Sequence, residues 1–341
     1  GARDHRGVAR DPGGEAAVRS SRWPWLMLLT LAALLTGLGL GAVRLAPGAV
    51  MTALFDRSAE GGTIIRELRL PRVLLGFLVG GSLAVSGAVL QALIQNPLAD
   101  PYLLGISGGA AIAAVLVIAI GLGGAWTLPL AAFGGAMLAL ALVYRLSLVQ
   151  GRRLDAHVLL LAGVVVSAFT SALVGAILTL STAGQLRNAF LWMLGGLSAA
   201  SWQATGIFAA YSILPLAVLA WHARWFDLLA LGDDSARHLG VDPARLRRIA
   251  YLATGCLTAA AVATCGMIGF VGLVVPHAIR RLWGPLHAAL LPAAFLVGGA
   301  FLVFADALAR SVAPPIELPV GIVTALVGVP LFAVLLRRNI R

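Results

Sequence analysis

From Val73 to Ala99 the chain has no ionisable side chain, and this run is framed by Arg69-Leu-Pro-Arg72 before it and by Gln95-Asn-Pro-Leu-Ala-Asp-Pro101 within and after its end. So long an uncharged stretch exceeds the roughly 18 to 20 residues that cross a bilayer as a helix. The arginines therefore mark one membrane face and the double-proline turn marks the other. Leu104-Gly-Ile-Ser-Gly-Gly-Ala110 then opens the next apolar run. With 60% hydrophobic and 11% charged residues, the pattern recurs along the whole chain. The fold class is an all-α polytopic membrane protein.

All 25 basic residues are arginine, and lysine is absent. A phosphate-binding Walker loop needs its lysine on the phosphates and a Schiff-base enzyme needs an amine, so neither chemistry belongs to this chain. Cys256 and Cys265, nine apart in an apolar run, sit about 13 Å apart on a helix and cannot bridge each other. The net charge of +11 does not form a soluble basic face, because the arginines stand at the ends of apolar runs. The distribution argues for membrane orientation and against nucleic acid.

Arg3, Arg6, Arg10, Arg19 and Arg22 precede the first run and hold the N-terminus in the cytoplasm, with residues 1–22 reading as a disordered basic arm. The 21-residue uncharged core from Trp23 to Val43 is longer than an ordinary signal-peptide core, so it reads as a span. Residues 23–341 then form one transmembrane domain of ten spans, near 23–43, 73–95, 102–122, 125–147, 157–181, 203–221, 249–264, 266–276, 287–308 and 319–336. An even number returns the C-terminus, with Arg337, Arg338 and Arg341, to the cytoplasm. The loops at 151–153, 222–248 and 280–281 share that side. Arg66, Arg69, Arg72, Arg187 and Arg310 fall on the opposite side and run against the orientation rule.

Phe190 to Trp202, with paired glycines and flanking tryptophans, reads as an interfacial or re-entrant piece on the outer side. Gly266-Met-Ile-Gly-Phe-Val-Gly272 through Pro276 is too short for an ordinary crossing and requires burial among neighbours. Gly76/Gly80 and Gly105/Gly109 have the spacing of close helix packing. In the 222–248 loop, Asp233-Asp234-Ser235 can cap a short helix that Gly240 ends in a left-handed turn, and Asp242-Pro243 reads as an N-cap with proline at the first helical position. Two short helices joined at a glycine would offer Asp233, Asp234, Arg237, Arg245, Arg247 and Arg248 to a soluble partner. A solvated orienting loop is the plainer alternative.

Arg-Leu-Pro-Arg with Asn-Pro-Leu-Ala-Asp-Pro, the Leu231-Gly to Leu239-Gly loop, Gly-Phe-Val-Gly-Leu-Val-Val-Pro-His-Ala-Ile-Arg280 and Glu317-Leu-Pro-Val-Gly321 together resemble the FecCD-type permeases. These are membrane subunits of bacterial ABC importers for ferric siderophores, haem and cobalamin. The resemblance runs from about residue 60 to the C-terminus. It implies an inner-membrane homodimer around a central path, two ATP-binding cassette subunits that bind ATP and Mg, and a periplasmic substrate-binding protein. It implies no cofactor or metal held by this chain, and no catalytic residue.

Residue by residue, the resemblance gives Arg69, Arg72 and Arg310 as outward positions that dock the binding protein, against a plainer reading as snorkelling interface anchors. It gives Asn96, Pro97 and Leu98 as a cytoplasmic gate. A second gate, where relatives carry small hydroxyl side chains, corresponds to Asp155, Ala156 and His157. That departure disfavours cobalamin, so haem stands first, a siderophore second and cobalamin as the alternative. His157 reads either as a contact to haem or as a solvated residue. Gly232, Asp233, Asp234, Ser235, Arg237, Leu239, Gly240 and Arg245 form the coupling surface for the ATP-binding subunits. Asp306 pairs with Arg310 at i,i+4, and Glu317 opens span ten at the positive end of its dipole. Both carboxylates sit near span ends, where a proton-coupled secondary transporter would need them near the midplane. No serine–histidine, paired-aspartate or metalloprotease pattern points to an intramembrane enzyme.

Overall fold

A computed structural model of the chain describes residues 22–41, 43–56, 61–122, 124–149 and 153–339. Residues 1–21 of the expected N-terminal arm, together with Gly151, Arg152 and Arg341, lie outside them. Fourteen α-helices follow one another among the described residues: α1 (Trp23–Gly39), α2 (Pro47–Phe55), α3 (Leu70–Ile94), α4 (Ile106–Ala119), α5 (Thr127–Leu146), α6 (Ala156–Thr179), α7 (Ala183–Met193), α8 (Trp202–Trp221), α9 (Ala223–Ala230), α10 (Asp233–His238), α11 (Pro243–Cys265), α12 (Val271–Trp283), α13 (His287–Ser311) and α14 (Val320–Asn339). A two-residue antiparallel ladder pairs Leu148–Val149 with Arg153–Leu154. Six helical stretches are long and apolar enough to cross a membrane, and Trp23–Gly39, Ile106–Ala119 and Val320–Val334 are shorter apolar helices.

Local chemistry fixes the helix starts. Proline stands in the first turn of α1 and α3. Asp155, Ser201 and Asp242 accept hydrogen bonds from the first backbone N–H groups of α6, α8 and α11. Thr182 and Gln185 make a reciprocal capping box at α7. That helix starts well before Phe190, so the expected interfacial piece is a helix, Ala183–Met193, followed by a loop.

Helix α3 is the axis of the molecule, packed by α13, α11, α12 and α8. It is buried over most of its length, which explains its unbroken apolar sequence. Close packing sets its small residues: a Cβ on Gly80 would lie 2.3 Å from the Gly298 carbonyl oxygen of α13. Ahead of α3, Ile64–Arg69 form a π-helical turn, so the helical rod begins about two turns before the expected start at residue 73.

The largest difference from expectation is span eight. Residues 266–270 are not helical, and α12 runs from Val271 to Trp283 instead of ending near 276. Gly266 (φ 69°) and Phe270 (φ 69°) both take left-handed backbone, which stops α11 and delays α12. Non-helical backbone deep in an apolar bundle needs internal partners. The Tyr102 hydroxyl, from the 3₁₀ turn Pro101–Leu104, donates to the Ile268 carbonyl and accepts from the Ile268 N–H, both at 2.9 Å. Gly196 N–H donates to the Cys265 carbonyl at 2.7 Å. Cys256 and Cys265 are both free thiols.

Candidate functional site

Polar side chains concentrate at the two ends of the bundle. At the end carrying the start of α3 and the close of α13, Arg72 grips Asp306 through Nε and Nη2, at 3.1 and 2.9 Å, and reaches Glu317 through Nη1 at 2.9 Å. Arg310 Nε lies 2.9 Å from the other Asp306 oxygen, which is the expected i,i+4 pair. Arg310 also donates to the Gly37 carbonyl at 2.9 Å. Arg69 donates to the carbonyls of Leu38 and Gly39, at 2.6 and 3.0 Å, and to that of Val43. These are the last residues of α1 and those just beyond, whose carbonyls no helix bond satisfies. Arg66 does the same for α2, bonding the carbonyls of Ala53 and Leu54.

Arg69 and Arg310 therefore differ from an outward-projecting patch. They are 6% and 4% exposed, turned inward on backbone carbonyls and on Asp306. Glu317 also differs: it stands three residues ahead of α14 and serves Arg72 instead of the helix dipole. The three arginines do come together. With Gly41, Ser198 and Glu317 they line one pocket of about 300 Å³, behind which Asp306 pairs with Arg72 and Arg310, while Glu317 pairs with Arg72.

At the opposite end, Gln95 closes α3 in a left-handed conformation (φ 56°) and donates from Nε2 to the Leu229 carbonyl of α9 at 3.0 Å. Asn96 Oδ1 accepts from Leu98 N–H at 2.9 Å, which makes the Asn96-Pro97-Leu98 turn self-supporting. Asp155 accepts from the N–H groups of His157 and Val158, at 2.8 and 3.1 Å. The bond from Val158, seconded by that from His157, holds its carboxyl below the ordinary aspartate range. The imidazole of His157 is 94% exposed, and its nearest carboxylate, Asp155, is 3.8 Å away. Among the described residues no hydrogen bond joins 96–98 to 155–157. The link is one step removed, where a Cβ on Gly163 of α6 would lie 2.0 Å from the Leu103 carbonyl.

Beside this end lies the most ordered polar surface. Helix α10 starts on Gly232 (φ 101°), with no side-chain cap, so Asp233 and Asp234 occupy its first turn and favour its positive end. Gly240 (φ 83°) ends it as expected: Gly240 N–H bonds the Arg237 carbonyl and Val241 N–H bonds the Ala236 carbonyl, both at 3.0 Å, in a Schellman turn. Asp242 caps the next helix as expected. That helix is not a second short one. It is α11 itself, a 23-residue span, so the surface is rooted directly in the bundle. Arg247 clamps Asp233 bidentately at 2.6 and 2.7 Å, which fixes the angle of α10 against α11. Arg237 bonds Asp234 at 3.1 Å. Ala236 is buried beneath, while Ser235, Leu239 and Arg245 are exposed.

Besides the Arg72–Asp306 pair, sequence reasoning missed the bonds of Tyr102 with Ile268, of Arg280 Nη1 to Gln91 Oε1 at 2.7 Å, of Arg247 with Asp233, and of His287 with Asp227 Oδ1 at 2.6 Å. A lone polar residue inside an apolar run was the available signal for Tyr102 and Gln91.

The FecCD transport family matches residues 28–338. The vitamin B12 import system permease BtuC of Klebsiella pneumoniae is 41% identical over 327 residues, covering 94% of this chain and 95% of that protein. The cobalamin import system permease BtuC of Halobacterium salinarum is 43% identical, covering 82% and 74%. A solved inward-facing structure, assigned to the metal-chelate type of ABC transporter, superposes with a TM-score of 0.83 at 33% identity, covering 92% of this chain and 97% of that one.

Proposed function

The chain belongs to the FecCD transport family of ABC importer permeases, and from that premise we propose that two copies form the translocation path of an ATP-driven importer of metal chelates. The path would lie in the inner membrane of a bacterium, with both termini in the cytoplasm. The observation that carries the reading is the α10–α11 surface. Its Schellman turn and its Asp233–Arg247 clamp make a rigid lever continuous with a membrane helix, which is what a separate motor subunit needs to push on. With no lysine for a phosphate loop, ATP and Mg belong to that motor.

At the other end, a periplasmic binding protein would dock over the Arg69/Arg72/Arg310 pocket. Arg72 and Arg310 are matched by Asp306 and Glu317, Arg69 is bound only to backbone carbonyls and keeps its charge uncompensated, and Glu317, 40% exposed, is the carboxylate that an acidic side chain of the partner would displace from Arg72. Asn96-Pro97-Leu98 and Asp155-Ala156-His157 would bound the inner mouth of the path. Charge reversal at Arg72 should weaken docking in a salt-dependent way, whereas an arginine that serves only as an internal tie would change stability and leave the affinity of the folded protein intact.

Within the metal chelates, the sequence order placed haem ahead of cobalamin. The open His157 has no partner geometry that favours haem, and the names of the relatives favour cobalamin. Competition of unlabelled haem, a ferric siderophore and cobalamin for binding to the cognate binding protein decides the cargo.

A further inference from the structure

We infer that the groove between α1, α8 and α13, at the end that carries the coupling surface, binds one anionic phospholipid of the cytoplasmic leaflet, with its phosphate on Arg224. The groove encloses about 620 Å³, within the range of built small-molecule sites. Its walls are apolar, with Leu216 from α8 and Leu291 and Phe295 from α13. Trp221 and Met27, 80% and 60% exposed, stand on its rim, so it is reached from the flank of the bundle.

The rim carries the selectivity. Trp23 and Trp221 both border the groove, at the end where α1 begins and α8 finishes, and paired tryptophans sit at headgroup depth. Arg224 lines the groove one helical turn beyond, is exposed, and makes no hydrogen bond or ion pair with any described residue. This contrasts with Arg69, Arg72, Arg247, Arg280 and Arg310, each of which has a protein partner. Among the described residues no carboxylate lines the groove, and Asp227, the nearest along the chain to Arg224, is held by the backbone N–H and Nδ1 of His287. His287 also lines the groove, is 3% exposed, and has no hydrogen-bond partner at Nε2. Basic pockets between helices on the cytoplasmic side suit anionic headgroups.

A second copy of the chain is the competing occupant. A closed two-fold contact sets the same patch against itself, so a patch that carries Arg224 and, among the described residues, no carboxylate would leave both guanidiniums uncompensated. A diester phosphate supplies the missing negative charge, and an acyl chain covers the apolar wall.

The test uses the assembled transporter in nanodiscs of equal phosphatidylglycerol and phosphatidylcholine, with retained lipid read by native mass spectrometry. The wild type should retain phosphatidylglycerol and phosphatidylcholine at a ratio of about five to one, against one to one in the bulk, the factor one arginine near an anionic lipid surface supplies. Arg224→Gln should return the ratio to bulk, and Ala288→Trp, which fills the groove from an exposed position, should remove the retained lipid. A bulk ratio in the wild type, or enrichment unchanged in Arg224→Gln, overturns the site. A photoreactive benzoylphenylalanine at position 27 should form lipid adducts, and adducts to a second permease chain would overturn the choice of occupant.

Discussion

Asp306 is 2% exposed and holds two guanidiniums at once, so its charge ties α3 to α13 from within the bundle. Removing it leaves Arg310 with no carboxylate and Arg72 with Glu317 alone, and loss of one partner from a buried pair costs about 3–5 kcal/mol. Asp306→Ala should lower stability on that scale in a detergent unfolding titration. Glu317→Ala should cost at most about 1 kcal/mol, because its side chain is 40% exposed and only Arg72 depends on it. Equal losses would mean that the network is not centred on Asp306. Tyr102 is a second such residue. Tyr102→Phe keeps the ring but leaves the Ile268 N–H and carbonyl without their partner, and should cost about 1–3 kcal/mol in the same titration. No change would mean that water or another group replaces the hydroxyl. Asp306–Arg310 was legible in the sequence because it is a local i,i+4 pair. Arg72–Asp306, with 234 residues between the partners, was not, because nothing local specifies which distant carboxylate a guanidinium meets.

Elements that announce themselves locally were read well. Asp242-Pro243 and Gly240 carry their own capping chemistry, and the structure has both where the sequence placed them. The start of α12 was misplaced because 266–276 is apolar and glycine-spaced like the helices around it. Only the tertiary bonds from Tyr102 and Gly196 make non-helical backbone acceptable there. Two glycines separate the roles of element and bundle. At Gly240 a new Cβ meets nothing within 4 Å, so Gly240→Val strains only the left-handed turn, by about 1–2 kcal/mol. The subunit should insert normally while transport per ATP hydrolysed falls severalfold, and normal coupling would remove the α10–α11 surface from the mechanism. At Gly87 a Cβ would lie 1.8 Å from the Gly272 carbonyl oxygen. Gly87→Ala must therefore push α12 off α3, and should reduce the yield of folded protein before coupling can be measured.

Across the whole molecule, hydropathy located nearly every apolar segment, since bilayer thickness fixes how long such a segment must be. It could not say which segment is central. The burial of α3 on all sides follows from helix packing, which the same apolar letters leave open. Nor could it distinguish arginines that face solvent from those folded back onto carbonyls, because both stand at span ends. The division of labour between a lysine-free membrane lever and a separate motor is most directly tested by uptake into proteoliposomes of a radiolabelled metal chelate bound to the cognate binding protein, with and without the ATP-binding subunit. Accumulation against a gradient should require ATP, the ATP-binding subunit and the permease together, and ATP hydrolysis should be absent from the permease alone. Accumulation by the permease without the ATP-binding subunit, driven by an ion gradient, would contradict it.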